Sequence, residues 1–419
     1  MCELVVDCPH FTPEWTTAGY VVIRNQNIRN GRLDLGDRSY THKQDFDRRN
    51  RRAKPRFGDI IFTREAPMGE VCVVPEGLEC CIGQRQVLLR PKKGIDSRYF
   101  LYALRSNFVR HQIFWNEGTG STVSNVRIPV LEALMIPRLG AAEKQIGDLL
   151  GTLDDKIELN RRMNETLEAM ARAIFRDWFV DFGPTRAKME GRTPYLAPVI
   201  WALFPDRLDD EGKPEGWQQA PLTTFFLIIG GGTPKTSVAD YWNGTIPWFS
   251  VVDAPSLGNV FVVETEKSIT QEGLDASSAR LVPEGTTIIS ARGTVGSLAM
   301  AGRQMTFNQS CYGLRGQNGA GDCFVFLVVQ NAVGRLQSMA HGSVFSTITR
   351  QTFEALTLAE PPGSALKAFE EAAKPLFEKI KANVVEAQTL LQTRDLLLPK
   401  LMSGEIRVKD AEKALEAAL

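Results

Sequence analysis

The 419-residue sequence lacks the segments that direct a chain into or across a membrane. No window of about 18 consecutive uncharged apolar residues is present, and the longest apolar runs have the length of single strands. The first ten residues include Glu3 and Asp7 and do not show the basic and then apolar order of a signal peptide. We therefore expect a soluble protein of the cytoplasm.

Cysteine and histidine are scarce, and their spacing does not suit a metal site. The seven cysteines form no C-x-x-C motif, and none of the four histidines stands at ligand spacing from a pair of cysteines. Reduced and mostly buried thiols are therefore the better interpretation. We expect no metal in this chain.

Catalytic signatures are missing as well. The sequence contains no G-x-S-x-G, H-E-x-x-H or G-x-G-x-x-G motif and no Asn/Asp-Pro-Pro-aromatic tetrapeptide. The glycine-rich run 230–236 is similar to a phosphate-binding loop, but its Lys235 follows a proline, which favours a tight turn. A chain of this length without a catalytic constellation is expected to bind a partner. An enzyme with an unrecognised active site is the alternative.

An excess of charge of one sign is also lacking, because 49 Lys and Arg residues balance 49 Asp and Glu residues. The balance argues at first against a nucleic-acid-binding protein. Residues 1–140, however, carry a net charge of +6, and residues 216–362 carry −2. Within the first of these segments, Arg24–Arg56 holds eleven basic against four acidic residues. The net charge of zero is therefore the sum over segments that differ in net charge.

The sequence does contain a tandem repeat of about 220 residues, a period far longer than that of solenoid or propeller proteins. Gly58 and Gly69 are spaced as Gly285 and Gly296 are. Further matches, in the same order, are Thr12-Pro13 with Thr233-Pro234, Gln84 with Gln309, and Gly120-Ser121 with Gly342-Ser343. Each copy begins with short β-branched runs and turn residues and ends in a long helical segment.

The two helical segments show heptad patterns of apolar residues over more than four repeats each. Asn160 and Asn383 occupy the same position in the middle of the two apolar series. Because the midpoints of two antiparallel helices meet, we expect Asn160 and Asn383 to face each other across an antiparallel coiled coil. Such a pairing gives the chain an internal pseudo-two-fold axis. Two separate amphipathic helices, each packed on its own β-rich domain, are the alternative.

Several short motifs follow one another in a characteristic order. They are Gly231-Gly-Thr-Pro234, Tyr241-Trp-Asn-Gly-Thr-Ile-Pro-Trp248, Ile289-Ser-Ala-Arg-Gly-Thr-Val-Gly296 and Asn308-Gln309, with a connector at 179–217 and an ending at 401–408. On a duplicated frame with helical spacers, these motifs resemble those of the specificity subunit of type I restriction–modification systems. The resemblance covers essentially the whole chain.

The resemblance implies an α/β (α+β) fold with two target-recognition domains of mixed, β-rich sheets, separated by two long helices. Each domain would read one half of a bipartite, asymmetric site in double-stranded DNA. The helices would be a spacer and the docking platform for two methyltransferase subunits, and restriction–translocation subunits would complete the complex. These partners use S-adenosylmethionine, ATP and magnesium for adenine methylation and restriction, whereas this chain would hold no cofactor. A coiled-coil scaffold that does not bind DNA is the alternative.

The same interpretation divides the sequence into six segments. They are a first target-recognition domain at 1–140, a central helical spacer at 141–180, a connector at 181–215, a second target-recognition domain at 216–362, a distal helical spacer at 363–405 and a tail at 406–419. The second copy begins at Trp217, which a strand follows, and the counterpart of that strand would precede Met1. We therefore expect the first domain to lack its N-terminal strand.

Candidate DNA contacts follow from the chemistry of the major groove, where arginine suits guanine and asparagine or glutamine suits adenine. In the first domain, base contacts are expected from Arg24, Asn25, Gln26 and Asn27, phosphate contacts from Arg48, Arg49, Arg51 and Arg52, and further contacts from Arg64, Gln84, Arg85 and Ser121. In the second domain the candidates are Lys235, Trp248, Ser250, Arg292, Asn308, Gln309 and Ser346. A solvated basic loop at Arg24–Asn27 and a core position for Trp248 are the alternatives. The charges predict weak DNA binding by the isolated chain, and weaker binding by the second domain than by the first.

Overall fold

The computed structural model describes residues 1–116, 124–255, 258–341 and 347–418. The helices are α1 (Lys43–Arg49), α2 (Ser97–Arg105), α3 (Asn107–Trp115), α4 (Ile128–Glu132), α5 (Ala142–Phe179), α6 (Gly183–Met189), α7 (Pro198–Trp201), α8 (Gln271–Asp275), α9 (Asp322–His341), α10 (Arg350–Glu354), α11 (Gly363–Ser403) and α12 (Val408–Ala418).

The strands of the first repeat are β1 (Cys2–Asp7), β2 (Trp15–Thr16), β3 (Tyr20–Ile23), β4 (Ile28–Arg29), β5 (Arg32–Leu33), β6 (Ser39–Thr41), β7 (Ile60–Thr63), β8 (Val71–Val73), β9 (Cys80–Ile82) and β10 (Gln86–Pro91). Those of the second are β11 (Gln218–Pro221), β12 (Phe226–Gly230), β13 (Trp242–Phe249), β14 (Phe261–Val262), β15 (Lys267–Ile269), β16 (Thr287–Ser290), β17 (Leu298–Ala301), β18 (Thr306–Phe307), β19 (Cys311–Gly316) and β20 (Thr357–Glu360).

The elements form two compact units. Unit 1 contains Met1–Ile157 and Thr389–Leu419, and unit 2 contains Glu158–Gln388. Helices α5 and α11 each contribute residues to both units. Each unit therefore combines the β-rich part of one repeat with segments of both long helices.

Unit 1 is built on two four-stranded sheets. One has the order β1-β10-β7-β8 with antiparallel neighbours, and its strand β7 is buried throughout, as its unbroken apolar run Ile60–Phe62 predicts. The other has the order β2-β6-β3-β9, in which β3 and β9 are parallel. Because parallel strands end at the same edge of a sheet, the loops that follow Ile23 and Ile82 lie side by side.

Unit 2 repeats this plan. Its larger sheet has the order β12-β19-β16-β17-β14, and a smaller sheet has the order β15-β13-β18. Strand β12 pairs with β19 as β1 pairs with β10, and β13 is parallel to β18 as β3 is to β9. The mixed α and β architecture and the internal repeat that the sequence predicts are confirmed.

The units differ, among other strands, in the pair that opens the second repeat. In unit 2, β11 pairs antiparallel with β20, from Gln218 opposite Glu360 to Pro221 opposite Thr357. Within the part of unit 1 that the structure describes, no strand pair corresponds to it. Strand β1 takes the place of β12, the second strand of the other repeat.

Within unit 2 the segments of α5 and α11 run antiparallel. Asn160 lies opposite Asn383, and further along the helices Phe175 lies against Phe369, with ring centroids 6.0 Å apart. Phe179 joins this aromatic cluster, with its ring 5.2 Å from that of Phe369 in an edge-on arrangement. Such edge-to-face contacts add to the apolar burial that holds the helices together.

The two asparagines predicted to meet are in contact and fully buried. The amide of Asn160 donates to Glu386 Oε2 over 2.8 Å and to the carbonyl of Asn383 over 3.4 Å. The amide of Asn383 donates to Asn164 Oδ1 over 2.8 Å. A buried polar group costs free energy unless it is bonded, and these bonds are made only in one alignment of the helices.

Helix α9 is apolar enough to pass a test for membrane-spanning helices on length and composition alone. The stretch Asp322–Ala340 has a mean hydropathy of 1.2, although it contains Arg335 and Gln330. More than half of it is buried inside the protein, and Phe324 and Leu336 have no exposed surface. The apolar composition is therefore accounted for by the core of unit 2.

All seven cysteines are free thiols. Six of them are buried, and Cys2 is partly exposed. Burial raises the pKa of the thiols, to about 11 for Cys81 and about 12 for Cys80. The cysteines therefore have the reduced and mostly buried state that their spacing indicates.

Candidate nucleic-acid interface

A cleft of about 780 Å³ lies in unit 1, where four loops meet. Its lining includes three arginines and one carboxylate, Glu70, so that its net charge is positive. Glu70 accepts a hydrogen bond from the backbone N–H of Asn30 over 2.7 Å. The residues that give the cleft its polar and aromatic character are Trp15, Arg24, Gln26, Arg29, Gln84 and Arg85.

Backbone hydrogen bonds at the ends of the strands hold these loops in place. The N–H of Gly83 donates to the carbonyl of Ile23 over 2.7 Å, which joins the loop after β9 to the turn after β3. The N–H of Arg64 donates to the carbonyl of Arg85 over 2.8 Å, which adds the loop after β7. The side chain of Gln84 donates to Thr12 Oγ1 over 3.2 Å and attaches the fourth loop. The cleft therefore has a fixed frame.

The turn 24–27 presents two of its four side chains to solvent. Arg24 is exposed and lies over the ring of Trp15, 5.4 Å from its centroid. Gln26 is also exposed and donates to Asp37 Oδ2 over 2.7 Å. Asn25 is partly buried, and its amide donates to the carbonyl of Glu65. Arg24 and Gln26 are therefore the exposed residues of this turn.

Asn27 corrects the expectation of a base contact. Its side chain is buried, its Oδ1 accepts the N–H of Arg24 over 2.9 Å, and its amide donates to the carbonyls of Asp34 and Asp37. The first bond closes the turn, and the other two attach it to the segment 34–37. Asn27 shapes the turn and cannot reach a base.

Arg49 corrects the expectation of a phosphate contact. Its side chain is 2% exposed, and it donates to the carbonyls of Ile82, Phe11 and Pro9. The neighbouring arginines, in contrast, are exposed on and after α1 and lie outside the lining of the cleft; they are Arg48, Arg51 and Arg52.

Arg64 holds the end of the sheet and does not line the cleft. It donates to both carboxylate oxygens of Asp7, over 2.9 and 3.0 Å, and to the carbonyl of Val126 over 2.8 Å. Arg85, by contrast, is exposed in the lining and pairs with Glu65 over 3.3 Å. Its backbone has the left-handed φ of 65° that a tight turn requires. Ser121 lies outside the described residues.

Unit 2 assembles an equivalent edge with the same three contacts. The N–H of Asn308 donates to the carbonyl of Phe249 over 2.9 Å, and the N–H of Ala291 donates to the carbonyl of Ser310 over 2.7 Å. Thr233 Oγ1 is bonded to Gln309 Oε1. By these contacts the turn after β13 corresponds to the turn 24–27 of unit 1.

Exposure separates the candidates of the second repeat into two groups. Lys235, Arg292 and Gln309 are exposed at the edge just described. Ser250 donates its hydroxyl to Asp253 Oδ2 over 3.0 Å, and Asn308 Oδ1 accepts the N–H of Ser310 over 3.0 Å, so both side chains close their own turns. Ser346 lies outside the described residues.

Trp248 corrects the expectation of a base contact and fits the alternative of a core position. It is buried, its indole N–H donates to the carbonyl of Gly232 over 2.9 Å, and its ring packs edge-on against Trp242 at 5.2 Å. An aromatic ring on a strand more often packs in the core than at a surface.

The glycine spacing of the repeat pairs Arg292 with Glu65, and the β-bridges of the two units show the same pairing. Arg292 forms a β-bridge with Thr347, and the matching bridge of unit 1 joins Glu65 to Asn125. The counterpart of Arg292 is therefore Glu65, and Arg64 corresponds to Ala291. The two edges consequently differ in charge at this position.

Sequence reasoning missed three exposed side chains of these edges. Trp15 and Arg29 line the cleft of unit 1, and Val252 is exposed on the turn after β13. Arg29 lies within the basic segment Arg24–Arg56, but the sequence does not show that its side chain is exposed. No sequence signal marks Val252, because its position follows only from the paired turns.

No group of three or more histidine, cysteine, aspartate or glutamate side chains within the described residues is arranged to hold a metal ion. The exposed candidate side chains of both edges include arginine, lysine and amide groups. These are donors suited to phosphate oxygens and base edges.

Comparison with known proteins gives a consistent result. The model of a family described as type I restriction modification DNA specificity domain matches residues 7–169 and again residues 214–372, once in each repeat. The specificity subunit of type I restriction enzyme HindI from Haemophilus influenzae is 26% identical over 400 residues, which cover 83% of this chain and 86% of that protein. The specificity subunit of type I restriction enzyme MjaIX from Methanocaldococcus jannaschii is 25% identical over 373 residues, which cover 84% and 78%.

A solved structure shares the fold. The S subunit of a type I restriction–modification system from M. genitalium superposes with a TM-score of 0.55 over 95% of this chain and 92% of that one. Its sequence identity is 15%, so the similarity concerns the fold alone.

Proposed function

Because this chain belongs to the family of type I restriction–modification DNA specificity proteins, we propose that it recognises the target sequence of such a system and directs adenine methylation and restriction by partner subunits. The observation that carries the proposal is the double match, since the family model finds each repeat once. Each of these repeats forms an edge of exposed polar loops, held by equivalent hydrogen bonds.

A bipartite and asymmetric target is the form of recognition that two such edges favour. Unit 1 presents Arg24, Gln26 and Arg85, whereas the corresponding positions of unit 2 are Ser250, Val252 and Ser310. Two surfaces of the same frame but unlike chemistry suit two different half-sites. In this proposal α5, with 38 residues, and α11, with 41, are the spacer between the readers.

The exposed side chains divide into base-reading and phosphate-binding groups. Arginine makes paired hydrogen bonds to guanine and glutamine makes them to adenine, so Arg24 and Gln26 are the base-reading candidates of unit 1. In unit 2 the candidates of the same residue types are Arg292 and Gln309, which lie on other loops of the edge. Cations outside the reading turns suit phosphates, and they are Arg48, Arg51, Arg52 and Lys235.

The chemical steps belong to partners in this proposal. Two methyltransferase subunits would dock on the chain and bring S-adenosylmethionine, and restriction subunits would bring the ATP and magnesium chemistry. The complex would act on DNA in the cytoplasm. Shared DNA contacts with these partners explain why a subunit of zero net charge suffices for recognition.

The test is adenine methylation by the purified partner subunits with and without this chain. We expect methylation at one defined DNA sequence only when the chain is present, and competition by salt because phosphate contacts release counterions. Methylation that is independent of the chain, or that shows no sequence preference, would contradict the proposal. Methylation by the chain alone would make it an enzyme.

A further inference from the structure

The reading turns of the two units are built alike but carry different side chains. In unit 1, Asn27 Oδ1 accepts the N–H of Arg24 over 2.9 Å. In unit 2, Asp253 Oδ2 accepts the N–H of Ser250 over 2.8 Å. Both turns are single 3₁₀ turns of three residues that follow a strand paired in parallel, so the middle residue of one corresponds to the middle residue of the other. Val252 therefore occupies the position of Gln26.

The contacts of neighbouring residues keep Val252 exposed to solvent. Its side chain is 69% exposed. Asp253 accepts the N–H of Ser250 with one carboxylate oxygen and the N–H of Glu266 with the other, over 2.7 Å. On the far side of the turn, Ala254 packs on the buried cluster around Phe249. The turn is braced on both sides, so binding would require little further ordering.

The chemistry of this side chain fits one feature of a DNA major groove. Valine offers no hydrogen bond, but its two methyl groups can contact the 5-methyl group of thymine, the apolar group of the base edges. Exposed donors surround the same edge, because Gln309 and Arg292 lie on the two loops bonded to it. We propose that Val252 reads a thymine methyl group in the half-site of unit 2, at the position where Gln26 makes polar contacts in the half-site of unit 1.

The test rests on the proposed function and uses the complete complex with its methyltransferase subunits on its mapped DNA site. Each thymine of the site is replaced in turn by deoxyuridine, which removes only the 5-methyl group. We expect one replacement, in the half-site of unit 2, to weaken binding about three- to fourfold, the effect of one buried methyl group. In Val252→Ala the ratio between thymine and deoxyuridine duplexes should fall towards one.

Val199→Ala is the matched control, because Val199 on α7 is 80% exposed and lies outside the reading edge. It should keep the wild-type ratio. Equal binding of all deoxyuridine duplexes by the wild-type complex would overturn this inference and leave the proposed function standing, since the mapped site would still be bound. Undiminished discrimination in Val252→Ala would assign the methyl contact to another residue and overturn it too. Absence of any sequence-specific binding would overturn both.

Discussion

Arg394 donates from Nη1 to Asp154 Oδ1 over 2.6 Å, and both side chains are buried within unit 1. The hydroxyl of Tyr102 donates to the other carboxylate oxygen over 2.6 Å, and Arg105 lies 3.7 Å from it. Arg32 donates to the same aspartate. One carboxylate of helix α5 thus joins helix α11 to the β-rich part of unit 1.

In unit 2 an uncharged residue occupies the corresponding position. Counted from the matched Asn160 and Asn383, the position of Asp154 corresponds to Phe377. Phe377 packs edge-on against Phe326 at 5.7 Å and Phe261 at 6.4 Å. A polar centre and an aromatic one therefore hold equivalent places in the two repeats.

Asp154→Ala is expected to lower the free energy of unfolding by about 3–5 kcal/mol, because the arginines around it would stay buried without their carboxylate. Urea denaturation measures the change. Asp155→Ala is the control, since Asp155 is 64% exposed in its pair with Arg98 and such pairs contribute about 0–1 kcal/mol. Equal losses in the two variants would show that Asp154 does not hold unit 1 together.

Asn383→Leu is expected to destabilise unit 2 by about 1–3 kcal/mol, because Asn164 Oδ1 would lose its buried donor. The exposed Asn331 of α9 is the control, and Asn331→Ala should be within about 0.5 kcal/mol of wild type. Thermal or urea unfolding distinguishes the two. An unchanged stability of Asn383→Leu would contradict a specifying role for the buried asparagines.

Substitutions of Arg24 and Arg49 are expected to differ in effect, because one should weaken DNA binding and the other should lower stability. Arg24→Ala should weaken specific DNA binding by the assembled complex by about 1–3 kcal/mol and leave unfolding unchanged, because the side chain is exposed. Arg49→Ala should lower the unfolding free energy by about 1–3 kcal/mol, since it leaves buried carbonyls without a donor. The opposite pattern in gel-shift and urea experiments would reverse the assignments.

The buried thiols predict a stability that decreases at alkaline pH. Burial raises the pKa of Cys81 to about 11 and that of Cys80 to about 12, above the value of about 8.5 in an unfolded chain. The unfolded chain loses these protons first, so the free energy of unfolding should fall as pH rises above about 8.5. A thiol reagent at pH 8 should label Cys80 and Cys81 only after unfolding. Rapid labelling of the native protein would contradict their burial.

The sequence predicts well the features that depend on spacing. The heptad series placed Asn160 and Asn383 at matching positions, and the structure has them in contact. The glycine spacings revealed the repeat that the sheet orders display. These features follow from periodicity, which is present in the linear sequence before any tertiary contact is made.

The burial of individual polar side chains could not be predicted from the sequence. Arg49 and Asn27 have the residue types of DNA contacts, but local carbonyls and N–H groups use their hydrogen-bonding capacity. The residue type determines which hydrogen bonds a side chain can make. It does not determine whether a DNA group or a neighbouring group of the protein is the partner.

The central claim is that each repeat reads its own half of the DNA site. Methylation mapping in cells that express the chain with its partner subunits tests it most directly, with Arg24→Ala and Arg292→Ala compared against the wild-type chain. We predict that Arg24→Ala relaxes the methylated sequence in one half-site only and that Arg292→Ala relaxes it in the other half-site only. Changes in the same half-site, or an unaltered sequence in both variants, would contradict the account.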